Sequence, residues 1–351
     1  MSGSEVGLLS IALILVLIYS GLYIPVALGL VSFLGVWIIR GNIQIPINLL
    51  ALAAADSIST PTFAVVPLFA LMGLLVSQAG LGKDIYEVAN FVFRKIRGGL
   101  GIATVAANAV FAAVTGSSIA SASVFTKVSV PEMRHFGYRA RFTVGVVAGS
   151  SVLGMLIPPS VMLILYAIIT EQSVGHMFIA GVIPGIILSI AFGIAIVTMA
   201  YVVPGFVHSR PANQSSEVKT TSLTFWQVIV MIFPILVLIL IVLGGIYTGW
   251  FTPTEAGAAG SLGALVITVI KRKMTWPGLW KVLVETGHIT ATILLLLISA
   301  SMYSRMLGVA ALPTLSANGS RPRIWLSTKS WRSMWSCFCS WARSSTPSQS
   351  F

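Results

Sequence analysis

The chain has 351 residues, 56% of them hydrophobic and only 9% charged, with a mean hydropathy of +0.96 and a formal charge of +12. Soluble domains carry about 25% charged residues, so this balance excludes a soluble globular protein and points to a chain that lives in lipid. The first apolar run is about twice the length of a signal-peptide core and has no basic segment before it, so it reads as a span that stays in the membrane.

Apolar runs cover residues 7–39, 63–81, 101–130, 142–169, 177–203, 226–247, 255–270 and 290–303. A helix needs about 20 apolar residues to cross a bilayer, and several of these runs are clearly longer. The excess falls at helix breakers: Gly21 and Pro25 in the first run, Gly116 in the third, Pro158-Pro159 in the fourth. Broken or re-entrant helices account for both the length and the breakers. Residues 43–55 are too short to span and are expected to lie laterally or dip in.

Lys and Arg in short loops mark the cytoplasmic side. The basic loops hold Arg94, Lys95 and Arg97, then Arg134, Arg139 and Arg141, then Arg210 and Lys219, then Lys271, Arg272 and Lys273. The last three groups are each two passes apart, which puts them all inside and residues 249–253 outside. Residues 204–223, rich in Ser, Asn and Pro, read as a cytoplasmic linker. They separate a first block of broken spans from a second block of straighter ones.

Two clusters stand out: Thr115-Gly116-Ser117-Ser118 and Ile157-Pro158-Pro159-Ser160. No water is available in the bilayer core to satisfy freed backbone groups, so irregular backbone is tolerated only where protein or a polar cavity supplies partners. Small residues at the first cluster also suit close helix packing, and its hydroxyls can bond their own backbone. From the residues alone, packing stands slightly ahead of ligand binding there. At the second, Pro158 and Pro159 remove two amide donors and prevent the preceding residue from staying helical. That leaves more unpaired carbonyls than a simple kink requires, and a discontinuous helix follows. Thr252-Pro253-Thr254-Glu255 reads as a helix start, with Thr252 as cap, Pro253 in the first position and Glu255 facing the positive end of the dipole. A structural role is favoured for these residues. His135 and His176 lack partners at metal-ligand spacing, and no nucleotide-binding loop or nucleophile–base set is present, so an enzyme is not expected.

These residues match a family. Residues 24–30 (IPVALGL), 67–73 (PLFALMG), 97–100 (RGGL), 115–120 (TGSSIA), 131–133 (PEM) with Gly137-Tyr138, 154–160 (GMLIPPS), 178–185 (FIAGVIPG) and 249–256 (GWFTPTEA) occur in order through most of the first 311 positions. Together they resemble the large membrane subunit (M-type, DctM-like) of tripartite ATP-independent periplasmic (TRAP) transporters.

The resemblance implies an all-α polytopic integral membrane protein of the bacterial inner membrane. Its architecture would be that of an inverted-repeat secondary transporter with re-entrant hairpins and broken helices. It implies sodium-coupled import of a small organic anion, of the C4-dicarboxylate, keto acid or sugar acid class. A periplasmic substrate-binding protein would deliver the substrate, and a small membrane subunit would brace the permease. Thr115, Gly116, Ser117, Ser118, Pro158, Pro159 and Ser160 become the substrate and ion site, with sodium at Thr115, Gly116 and Ser117. No cofactor beyond that coupling ion and no nucleic-acid partner is implied. Many relatives carry an Asp about where Ser121 stands.

The implied division is an N-terminal scaffold at 1–60, a first transport repeat at 61–203, the linker at 204–223, central spans at 224–285 and the start of a second repeat at 286–314. Residues 315–351 depart from this pattern. They hold no acidic residue, five of the 21 basic residues, four of the nine Trp and both Cys. A disordered tail rarely holds so many Trp. With TCN serine and CGN arginine codons, reading from the third base of each codon turns 335–351 into an aliphatic run. That run leads into a Gly-x-x-x-Asp-Ser-like stretch resembling the family's second half. A frameshift near Leu315 is therefore expected, with the second repeat mostly missing and the product as written inactive in transport. Two other readings stay open: a binding-protein-independent sodium/anion symporter of related architecture, and a non-transporting membrane scaffold that binds a small partner subunit.

Overall fold

The structure is a computed structural model and describes residues 3–59, 61–207 and 224–310. The linker beyond Val207 and the 315–351 segment lie outside the described residues. The described residues fall almost wholly into helices, in two compact units: those within 60–292 form one, and those within 3–59 and 293–310 form the other.

The smaller unit contains α1 (Gly3–Tyr19), α2 (Ile24–Arg40), α3 (Gln44–Ser59) and the last part of α16 (Trp276–Val309). The first apolar run is thus two helices. The chain reverses at Gly21, whose φ of 92° suits a residue without a β-carbon, and Pro25 sits in the first turn of α2. Val36, Met306 and Ala310 form a buried centre, with Ile39, Ile45, Leu49, Tyr303 and Leu307 packed around it. Ser10 Oγ lies 3.3 Å from the Tyr303 hydroxyl, and Arg305 bridges to Asp56 at 2.5 Å.

The larger unit begins with α4 (Val65–Gln78) and α5 (Leu81–Phe93), bent by 64° at Gly80. Helix α5 is not visible as an apolar run, because Lys83, Asp84 and Glu87 interrupt it. Its apolar positions nevertheless recur at helical spacing, and Leu81, Ile85, Val88 and Ala89 are buried. Next come α6 (Gly99–Thr115), α7 (Ser118–His135), α8 (Ala140–Ser151), the short α9 (Leu153–Leu156), α10 (Val161–Ile169) and α11 (Val174–Val202). After α12 (Pro204–Val207), the second block holds α13 (Phe225–Ile239), α14 (Gly245–Tyr247), α15 (Pro253–Ile270) and the first part of α16.

This second block is less regular than its hydropathy indicates. Pro234 lies inside α13, and a π-turn at Leu240–Gly244 separates α13 from α14. The last helix is also far longer than the apolar run at 290–303, starting at Trp276. Among the described residues, four helices are long and apolar enough to cross a membrane, or up to six if each bent pair counts as one span.

Small residues set the packing of α15 on α4. Ala256, Gly257, Gly260, Ser261, Ala264 and Thr268 form its buried face. A β-carbon on Gly260 would stand 2.5 Å from the Met72 sulfur, so the two helices approach more closely than larger side chains permit. Thr268 Oγ1 donates to the Leu75 carbonyl at 3.2 Å, and Lys271 pairs with Asp84 at the end of the same contact.

Candidate functional site

Helices α6 and α7 form a hairpin. Phe111 and Phe125, on either side of the tip, meet edge to face at 5.5 Å, which requires the two arms to run antiparallel. The turn is made by Gly116 in the left-handed region at φ 58° and by Ser117 in extended conformation. Gly116 closes α6 with its amide donating to the Ala112 carbonyl, and Ser117 Oγ opens α7 by accepting from the Ala120 amide at 3.3 Å. Thr115 is buried and donates back to the Phe111 carbonyl at 3.0 Å. Ser118 is half-buried at the first position of α7.

The second cluster interrupts a span. Helices α8 and α9 lead to Ile157, whose extended backbone ends the helix, and α10 starts again at Val161, giving a bend of 42°. Pro158, Pro159 and Ser160 are buried between them, with a cis peptide joining the prolines. Ser160 Oγ donates to the Met155 carbonyl at 2.7 Å. Thr115 and Ser160 thus back-bond to their own segments, yet each hydroxyl oxygen keeps acceptor capacity.

The structure brings these two breaks into direct contact. The Val161 amide donates to the Gly116 carbonyl at 3.2 Å. A β-carbon on Gly116 would lie 2.3 Å from the Pro159 carbonyl oxygen, and one on Gly154 would lie 2.9 Å from the Ser117 carbonyl. Two more helices close in through glycine: a β-carbon on Gly73 of α4 would meet the Thr115 carbonyl at 2.8 Å, and one on Gly181 of α11 would meet the Leu156 carbonyl at 2.7 Å. Four helix ends therefore meet within one small volume. Those of α7 and α10 are N-termini carrying partial positive charge, and those of α6 and α9 are C-termini carrying partial negative charge.

Gly73, Gly154 and Gly181 do not stand out as site residues in sequence, because a glycine's function lies in what approaches it. Their signal is membership of the motif runs 67–73, 154–160 and 178–185. Two polar residues beside the hairpin were likewise not singled out as ligands. Ser121 Oγ, one turn past the tip, and Asn108 Oδ1 are fully buried without a hydrogen-bond partner among the described residues, while Asn108 Nδ2 donates to Ser150 Oγ at 2.6 Å. A polar residue in an apolar helix is a signal that sequence does carry.

Thr252, Pro253, Thr254 and Glu255 stand on a separate element, the start of α15, which packs on α4. Thr252 Oγ1 accepts from the Glu255 amide at 3.3 Å, and Glu255 Oε2 accepts from the Thr252 amide at 2.8 Å. That is a reciprocal cap. Pro253 is the first helical residue, and Thr254 sits half-exposed in the first turn.

The family signature for the DctM component of the tripartite ATP-independent periplasmic transporter matches residues 11–318. Similar proteins include the C4-dicarboxylate TRAP transporter large permease protein DctM of Pseudomonas aeruginosa, 34% identical over 257 residues, covering 72% of this chain and 57% of that protein. The sialic acid TRAP transporter large permease protein SiaM of Vibrio cholerae is 30% identical over 306 residues, covering 86% of this chain and 68% of its own length. The DctM protein of Rhodobacter capsulatus is 31% identical over 323 residues, covering 87% and 70%. The chain thus spans between about half and two thirds of the length of these relatives. With the family signature matched over residues 11–318, the chain belongs to the DctM component family of TRAP transporters, a family of permeases rather than enzymes, and is a multi-pass protein of the bacterial inner membrane.

Proposed function

We propose that the chain is the permease component for sodium-coupled import of a small organic anion. The observation that carries this reading is the contact between the two helix breaks, through the Val161 amide and the Gly116 carbonyl. Helix N-termini suit a carboxylate, and C-terminal carbonyls with hydroxyl oxygens suit a hard cation such as sodium. In this reading the cation is held by carbonyls and hydroxyls at Thr115, Gly116 and Ser117. Pro158, Pro159 and Ser160 form the facing wall. The buried Ser121 and Asn108 oxygens, short of partners, fit a site that takes a polar ligand.

The relatives' names cover C4-dicarboxylates and sialic acid, which share a carboxylate on a small polar body. We assign this chain the same broad class, delivered by a periplasmic substrate-binding protein and transported together with a small membrane subunit. Reconstitution of the chain with those two components in proteoliposomes tests the reading. Uptake of a labelled dicarboxylate, keto acid or sugar acid that follows an inward sodium gradient supports it. Uptake indifferent to sodium overturns the coupling, and no uptake of any of the three classes bears out the inactive product that a frameshift near Leu315 implies.

A further inference from the structure

One end of the larger unit collects basic residues from two loops. The turn between α5 and α6 holds Arg94, Lys95 and Arg97; Arg97 lies over the Tyr201 ring at 5.3 Å, and a β-carbon on Gly98 would meet Ala200 at 3.3 Å. Arg134 lies in the last turn of α7, Arg139 in the connecting turn and Arg141 in the first turn of α8; the Arg139 amide donates to the Val207 carbonyl at 2.9 Å, and Phe142 meets Phe206 edge to face at 6.3 Å. Both turns therefore lie against the end of α11 and the short α12. The positive-inside rule makes this the cytoplasmic end.

Arg134, Arg139 and Arg141, with Tyr138 and Ala140, line a cavity of about 410 Å³. All three arginines are exposed, and none is ion-paired among the described residues. The nearest carboxylate in sequence, Glu132, is engaged elsewhere, accepting from Asn90 Nδ2 of α5 at 3.0 Å. No side chain caps the start of α8, so its first amides add partial positive charge to the same place. Beside the arginines, Tyr201, Val202, Val203 and Phe206 expose apolar surface. Guanidinium groups beside a free helix start suit a phosphodiester, and an apolar ledge next to them suits an acyl chain.

We propose that this cavity binds the headgroup of an acidic phospholipid of the cytoplasmic leaflet. The guanidinium forks of Arg134, Arg139 and Arg141 grip the phosphate, and the acyl chains lie along the Tyr201–Phe206 ledge. The proposal rests on membrane insertion alone and is independent of which solute is carried.

Native mass spectrometry of the full chain in detergent tests it, with phosphatidylglycerol, phosphatidylcholine and inorganic phosphate as probes. Phosphatidylglycerol is expected to stay bound, phosphatidylcholine to be lost, and millimolar phosphate not to displace the lipid. The R134Q/R139Q/R141Q variant is expected to hold phosphatidylglycerol about a hundredfold more weakly, whereas R272Q/K273Q, which removes charge from another loop, leaves it within about threefold of the original chain. Should the glutamine variant fail to fold, R134K/R139K/R141K keeps the charge, loses the fork, and is expected to bind about tenfold more weakly. Unchanged lipid retention in either triple variant overturns the site, and displacement by equimolar phosphate overturns the lipid as its occupant.

Discussion

The amide of Val161 reaches across to the carbonyl of Gly116 at 3.2 Å, joining the first residue of α10 to the residue at the hairpin tip. Each break satisfies backbone groups that the other leaves open. In lipid this is the condition for irregular backbone to persist, and it makes the two clusters one structural object.

Gly116→Ala should therefore be among the most damaging single changes. It forces a left-handed residue to carry a β-carbon and drives that carbon to 2.3 Å from the Pro159 oxygen. The two penalties together amount to about 3 kcal/mol. Gly21→Ala shares the positive φ but meets nothing within 4 Å, so it isolates the backbone cost of about 1 kcal/mol. Thermal unfolding in detergent compares the two, and equal losses would show that the close approach to Pro159 does not matter.

Gly154→Ala should also destabilise the protein, by about 1–3 kcal/mol, because its β-carbon would overlap the Ser117–Ser118 peptide. Gly145→Ala, on the same pair of helices, faces open space and should be neutral or slightly stabilising. The same melting experiment reads both. A tolerant Gly154 would mean that hairpin and broken helix are free to separate.

Ser121→Ala distinguishes a packing role from a ligand role. With no partner to lose among the described residues, the sodium-free protein should melt within about 0.5 kcal/mol of the original chain. The increment of stability gained on adding sodium, measured against an equal concentration of choline chloride, should shrink. An unchanged sodium increment would remove Ser121 from the site.

Thr252→Ala should lower the melting temperature by about 2–4 °C through loss of the reciprocal cap. The sodium increment should be preserved, since the cap belongs to α15 and not to the breaks. A changed sodium response would connect this helix start to ion binding.

Much of this arrangement was legible in sequence, because it rests on local chemistry. Hydropathy located the runs, Gly21 and Gly116 marked breaks within them, and the diproline could not continue a helix. Helix α5 was hidden because Lys83, Asp84 and Glu87 lower its mean hydropathy while its apolar face persists. The long start of α16 was hidden for the same reason, with Lys281 and Glu285 inside a continuous helix. That the two breaks line one site was an expectation from the family resemblance; how they meet was not legible, since it depends on Gly73, Gly154 and Gly181 admitting backbone from elsewhere in the chain. Burial of Ser121 and Asn108 was equally non-local: the residue type was visible, but the absence of a partner was not.

Glycine at each point of contact leaves no side chain between the hairpin tip, the diproline and their flanking helices. Such a junction has no cushion that could compress or extend. A displacement of Gly116 must therefore carry Ser160 and Ser117 with it, so the knot of backbone moves as one body or not at all.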